Sequence, residues 1–288
     1  MTFRPDVELD PGQVQDRRGG GRVRGGGIAV GGGLGSLVIL ALVIFFGGNL
    51  GDLAGLGAGG SETGPLSSEL AAECQTGADA NERQDCRIVG TVNSLQDYWT
   101  DAFGADRQFV APGTALFDGQ VSTECGAASS TVGPFYCPLD QTIYIDLGFF
   151  DQLETQFGAE GGEFAEEYVL AHEYGHHIQN LLGLLDAGRD AGAEGGAVRT
   201  ELQADCFAGV WGGNAVDTGF LQPLTQEQIG QALNAAMVIG DDRIQEQTQG
   251  QVNPETWTHG SSEQRQEWFS TGLEQKTTDA CDTFEADI

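Results

Sequence analysis

The stretch Val169-Leu170-Ala171-His172-Glu173-Tyr174-Gly175-His176-His177-Ile178 constrains this chain most tightly. It contains His-Glu-x-x-His. On an α-helix, residues four apart lie one above the other on a single face. Phe164, Tyr168, Ala171, Gly175, Ile178 and Leu182 recur at helical spacing around it. The pattern predicts a helix from Glu163 to Leu182 with one apolar side turned to a core and Gly183 as its C-terminal cap. On that helix His172 and His176 can offer two imidazole nitrogens to one zinc ion, with Glu173 placed to take a proton from water held there. The chain has only four histidines, so chance rarely produces this placement. The plain alternative is a helix carrying two structural histidines.

Two imidazoles are one ligand short, because a catalytic zinc site has three protein ligands and an open position. Thr200 to Trp211 reads as a second helix, and Glu201 and Asp205 share one of its faces. Glu201 is assigned as the third metal ligand, since two histidines and a glutamate form a known peptidase set. Asp205, one turn on, is placed to accept the outer N–H of a ligating imidazole and fix its tautomer. These two roles can be exchanged without offending the spacing. His259 and Arg265 are the candidates for stabilising an oxyanion beside the metal. His177 points away from the ligand face and reads as structural or exposed.

Charge narrows the partners. The 43 acidic residues outweigh 13 basic ones, a formal net charge of -30. Such a chain repels polyanions, which excludes nucleic-acid binding. Six cysteines pair most simply in order, Cys74 with Cys86, Cys125 with Cys137 and Cys206 with Cys281. Disulfides require an oxidising compartment. Ile28 to Phe46 carries no charge and as a helix would reach about 28 Å, near the thickness of a hydrocarbon core. Arg17, Arg18, Arg22 and Arg24 precede it, while Asp52 and Glu62 follow. The positive-inside rule therefore predicts a single-pass anchor in the cell membrane, N-terminus cytoplasmic and the main domain extracytoplasmic. The expected organisation is a cytoplasmic, disordered, Arg/Gly-rich tail over 1–27, a transmembrane helix over 28–46, a Gly-rich linker over 47–65 and a metal-binding domain over 66–288.

Within that domain, Arg87 to Phe103 has the periodicity of a packed helix, and Ala111 to Cys137 reads as loops and short hairpins. Thr142 to Leu147 alternates as a half-buried strand, either an exposed edge able to take an extended peptide or an ordinary core strand. Phe149 to Phe157 predicts a short helix, and Thr225 to Gln245 one continuous helix opened by a Thr225–Gln228 capping box. A last helix should follow Ser262 through about Leu273. Trp257, Trp268 and Phe269 are read as core. The expected fold is α+β, a helical majority beside a small, mostly antiparallel sheet.

The strings His172-Glu-Tyr-Gly-His-His-Ile-Gln-Asn-Leu-Leu-Gly183, Glu201-Leu-Gln-Ala-Asp-Cys-Phe-Ala-Gly-Val-Trp211 and Thr258-His-Gly-Ser-Ser-Glu-Gln-Arg265 resemble a bacterial family of neutral zinc metallopeptidases. The likeness extends over nearly the whole chain, including the Arg-rich start, the apolar stretch and the Tyr144-Ile-Asp-Leu147 strand. It is also similar, more distantly, to zincin peptidases whose third ligand is a Glu in a Glu-x-x-x-Asp helix. The resemblance implies a membrane-anchored, Zn2+-dependent, zincin-like metallopeptidase acting on peptides or proteins with Glu173 as general base. Other readings of the same motif are a catalytically silent zinc-binding envelope protein and a zinc amidase acting on cell-wall peptides.

Overall fold

The computed structural model describes residues 2–19, 68–104, 109–185 and 187–288. Most of them are helical. Helix α1 spans Ser68–Glu73, α2 Gly77–Glu82, α3 Gln84–Phe103, α4 Gly148–Thr155, α5 Glu163–Leu182, α6 Gly196–Asn214, α7 Gln226–Val238, α8 Asp241–Gln249 and α9 Ser262–Gln275. The motif helix α5 has the predicted bounds, and it stops at Gly183 in the left-handed conformation, where a residue without Cβ is unstrained. It lies at the centre of the fold, packed against α3, α6 and α7. Phe164, Leu170, Tyr174 and Ile178 are completely buried there beside Trp211.

The sheet is mixed rather than mostly antiparallel. Strands β1 (Gln15–Asp16), β2 (Gly113–Leu116), β5 (Phe135–Cys137) and β6 (Thr142–Ile145) run in the order β1-β2-β6-β5, and only the β5–β6 pairing is antiparallel. The hairpin of β3 (Gln120–Thr123) and β4 (Gly126–Ser129) is inserted between β2 and β5. This excursion lets β6 return alongside β2 in the parallel sense. Strand β6 is therefore interior, and the expected half-buried face does not exist: all four of its residues are buried. Tyr144 stacks on Phe135 with ring centroids 5.1 Å apart, and a small second core of Phe117, Val121, Ala128 and Val132 covers that side. The edge strands of this sheet are β1 and β5.

Two further expectations change. Thr225 to Gln245 is two helices, because Gly240 is extended and separates α7 from α8. The Thr225–Gln228 capping box is present. More consequential, the first part of the 1–27 tail is folded, not disordered. Phe3 and Val14 are fully buried, Leu9 nearly so, and β1 joins the sheet edge beside β2. Composition misled here because the glycines and arginines beyond residue 18 dilute three apolar residues that each fill a core slot. The apolar stretch 28–46 and the linker 47–65 lie outside the described residues; among the described residues no helix is long and apolar enough to cross a membrane. All three expected disulfides form, with Cα–Cα distances of 4.9, 5.8 and 5.6 Å.

Candidate metal centre

Helices α5 and α6 meet at Gly175, where a Cβ would stand 2.9 Å from both the Cα and the carbonyl oxygen of Ala204. Any larger residue would hold the helices apart. This close approach sets the Glu201–Asp205 face of α6 against the His172–His176 face of α5. Ligand atoms of His172, His176 and Glu201 come within 4.8 Å of one another. The Glu201 carboxylate lies 3.2 Å from His172 Nε2 and 3.6 Å from His176 Nε2.

The outer ring nitrogens are held as a metal site needs. His172 Nδ1 is 2.7 Å from Asp205 Oδ1, and His176 Nδ1 is 2.9 Å from Gln179 Oε1. With Nδ1–H donating to these acceptors, each Nε2 presents its lone pair toward the centre. Gln179 is itself fixed, donating to the Thr200 carbonyl at 2.7 Å and to Gln203 Oε1 at 3.1 Å. Asp205 is fully buried and also accepts from the Tyr168 hydroxyl at 2.6 Å and from Arg265 Nε at 2.8 Å and Nη2 at 3.0 Å. Glu201 and Asp205 thus take separate places, Glu201 among the Nε2 atoms and Asp205 behind the ring of His172.

The electrostatics suit a cation. Burial would raise the pKa of Glu201, yet the imidazoles of His176 and His172 hold it well below the carboxylate range. Burial would lower His172, but Asp205 and Glu201 push it up to about 10; His176 is raised by Glu201 in the same way. Burial raises Glu173 against the opposing pull of both histidines. With neutral imidazoles, Glu173, Glu201 and Asp205 face one buried guanidinium among the described residues, that of Arg265. Two nitrogens and one carboxylate in such a setting fit Zn2+ by charge and donor type.

Two groups complete the surroundings. His259 is held by Asp241, whose fully buried carboxylate accepts from the backbone N–H of Thr258, His259 and Gly260 at 2.6, 2.7 and 3.1 Å. Its other oxygen is 3.3 Å from His259 Nδ1, and His259 is close enough for its charge to act on Glu201. The backbone of Tyr136 in β5 opposes the upward shift of Glu173, and β5, an edge strand of the sheet, packs against α5 beside the site.

The fold brings together His172, Glu173, His176, Glu201 and Asp205 as the spacing predicts, with His259 alongside. Arg265 is the correction. Its guanidinium is bound to Asp205 and within 3.3 Å of the Tyr168 hydroxyl, almost completely buried, so it is not available to an oxyanion. His177 is structural: Nδ1 is 3.0 Å from the Tyr136 hydroxyl and Nε2 2.7 Å from the Val110 carbonyl, and burial lowers its pKa to about 4. Tyr168, Gln179 and Asp241 were not foreseen. The first two were legible, one helical turn either side of the histidines, whereas Asp241 carries no local signal. Trp257 and Phe269 are core as expected.

The sequence model of the family described as "Putative neutral zinc metallopeptidase" matches residues 3–284. An uncharacterized protein of Mycobacterium tuberculosis is 54% identical over 223 residues, covering 74% of this chain and 75% of its own. The uncharacterized protein YpfJ of Escherichia coli K12 is 39% identical over 283 residues, covering 94% and 95%. No solved structure matches the chain.

Proposed function

The chain belongs to this neutral zinc metallopeptidase family, and from that premise we propose that it is a zincin-like peptidase cleaving peptide bonds outside the cytoplasm. The observation that carries the proposal is the convergence of His172 Nε2, His176 Nε2 and the Glu201 carboxylate beside a buried Glu173. These three residues would hold a zinc ion. When bound, zinc supplies a Lewis acid that brings the pKa of water at the site toward ~7 and polarises the scissile carbonyl.

The chain's own groups do the rest. Burial raises the pKa of Glu173, and a carboxylate in this position can accept the proton of the attacking water and deliver it to the departing amine. Asp205 and Gln179 keep the two imidazoles in the ligating tautomer. His259, held at Nδ1 by Asp241, is the residue we assign to assist the oxyanion that develops on the carbonyl. An extended peptide fits along β5 by main-chain hydrogen bonds, the mode open to any sheet edge. Three disulfides support an oxidising compartment, and the apolar stretch 28–46 supports membrane attachment.

The test compares wild type with Glu173→Gln for zinc content and for cleavage of an unfolded protein. One zinc in each, with cleavage by wild type alone, is expected. Zinc in each and cleavage by neither would point to a cell-wall amide substrate or a silent binding role. Zinc in neither would overturn the site.

A further inference from the structure

Residues 2–18 are built into the domain rather than appended to it. The Phe3 ring lies over Gly90 of α3, where a Cβ would stand 2.6 Å from a ring carbon. A Cβ on Gly77 would collide with the Arg4 carbonyl. Two asparagines grip the segment's backbone from both sides. Asn81 accepts from Phe3 N–H and donates to its carbonyl, each at 3.0 Å. Asn93, buried in α3, does the same for Asp10 at 2.7 and 3.0 Å. Without residues 2–18 both amides would be left unpaired and the three core slots of Phe3, Leu9 and Val14 unfilled, a costly arrangement.

Two of the four arginines that suggested a cytoplasmic flank, Arg17 and Arg18, are engaged in this docking, while Arg22 and Arg24 lie outside the described residues. Arg18 pairs with Asp16 at 2.8 Å and with Asp85 at 3.1 Å. Arg17 donates to Gln15 and lies over the Tyr144 ring, 5.5 Å from its centroid. The docking site also includes a disulfide loop: Leu9 N–H donates to Gln75 and Gly77 N–H to Val7, each at 2.9 Å, between Cys74 and Cys86. The turn Pro11–Gln13 touches α1, so the chain leaves at residue 19 and returns at residue 68 on one body.

A chain that crossed a bilayer once between those points would put about 30 Å of hydrocarbon between segments that are in contact. We infer that residues 2–18 lie on the same side of the membrane as the peptidase domain, so the apolar stretch 28–46 does not separate them. This places the N-terminal segment in the compartment where Cys74–Cys86 forms. It stands whether or not the metal site is catalytic.

The experiment uses the full chain in its native host. All six cysteines are disulfide-bonded, so an added cysteine is the one free thiol. Asp6→Cys, with Arg4→Cys as a second site, reports the exposed N-terminal segment, and Glu255→Cys reports an exposed turn of the domain. Each is treated with a membrane-impermeant maleimide before and after permeabilisation. Equal labelling of both regions in intact cells is expected. Labelling of both only after permeabilisation would also uphold the inference, while removing the extracytoplasmic reading of the function. Labelling of Glu255→Cys in intact cells with the N-terminal sites protected would overturn it. So would a mature chain found by mass spectrometry to lack residues 2–18.

Discussion

Asp205→Asn is the sharpest probe of how this site is organised. The carboxylate is fully buried and accepts from His172, Tyr168 and, twice, from Arg265. Burial alone would raise its pKa, but Arg265 and His172 lower it from 3.8 to about 2. That shift corresponds to ~2 kcal/mol in favour of the charged form. An asparagine keeps one acceptor and turns an amide donor toward the guanidinium, leaving Arg265 buried without its counter-charge. Metal-free protein should therefore lose about 3–5 kcal/mol of stability. Zinc affinity should fall about 10–100-fold, because His172 loses the group that fixes its tautomer. Urea unfolding of the metal-free protein and competition against a chromogenic zinc chelator read the two effects separately. Unchanged zinc affinity in Asp205→Asn would refute the orienting role. Loss of stoichiometric zinc in Asp205→Asn, with zinc retained in Glu201→Gln, would exchange the roles of the two carboxylates.

Three other outcomes are expected. His259→Ala should lower kcat about 10²–10³-fold, as loss of one oxyanion donor does, with zinc content and KM little changed; steady-state kinetics beside metal analysis checks this. Phe3→Ala should cost about 3–5 kcal/mol in denaturant unfolding, since the ring is fully buried against Gly90; a change within experimental error would mean the segment is not docked in solution. Glu167→Gln should be more stable than wild type at neutral pH. Burial holds the Glu167 carboxyl protonated well above 4.5 in the fold, whereas the unfolded chain releases that proton near 4.5, so this group favours folding less as pH rises toward its folded pKa. The Tm difference between variant and wild type should widen from pH 4 to pH 8, and a constant difference would show that Glu167 does not titrate this way.

Much of the site was legible because its parts are local. His172, Glu173 and His176 lie within two turns of one helix, and Glu201 and Asp205 within one turn of another, so periodicity alone aligns each set on a face. The caps and breaks of α5 follow from Gly183 and the apolar spacing in the same way, and the cysteines pair in chain order. What required the tertiary structure depends on contacts between distant segments. Whether Arg265 faces substrate or Asp205 is decided by how α9 packs on α6, and the link from Asp241 to His259 spans a loop that has no periodic pattern. Strand β6 became interior because the β3–β4 insertion lets it return beside β2. Residues 2–18 look like a polar tail because their apolar residues are too sparse to set a period. They fold because Gly77, Gly90, Asn81 and Asn93, far along the chain, provide the space and hydrogen bonds that receive them.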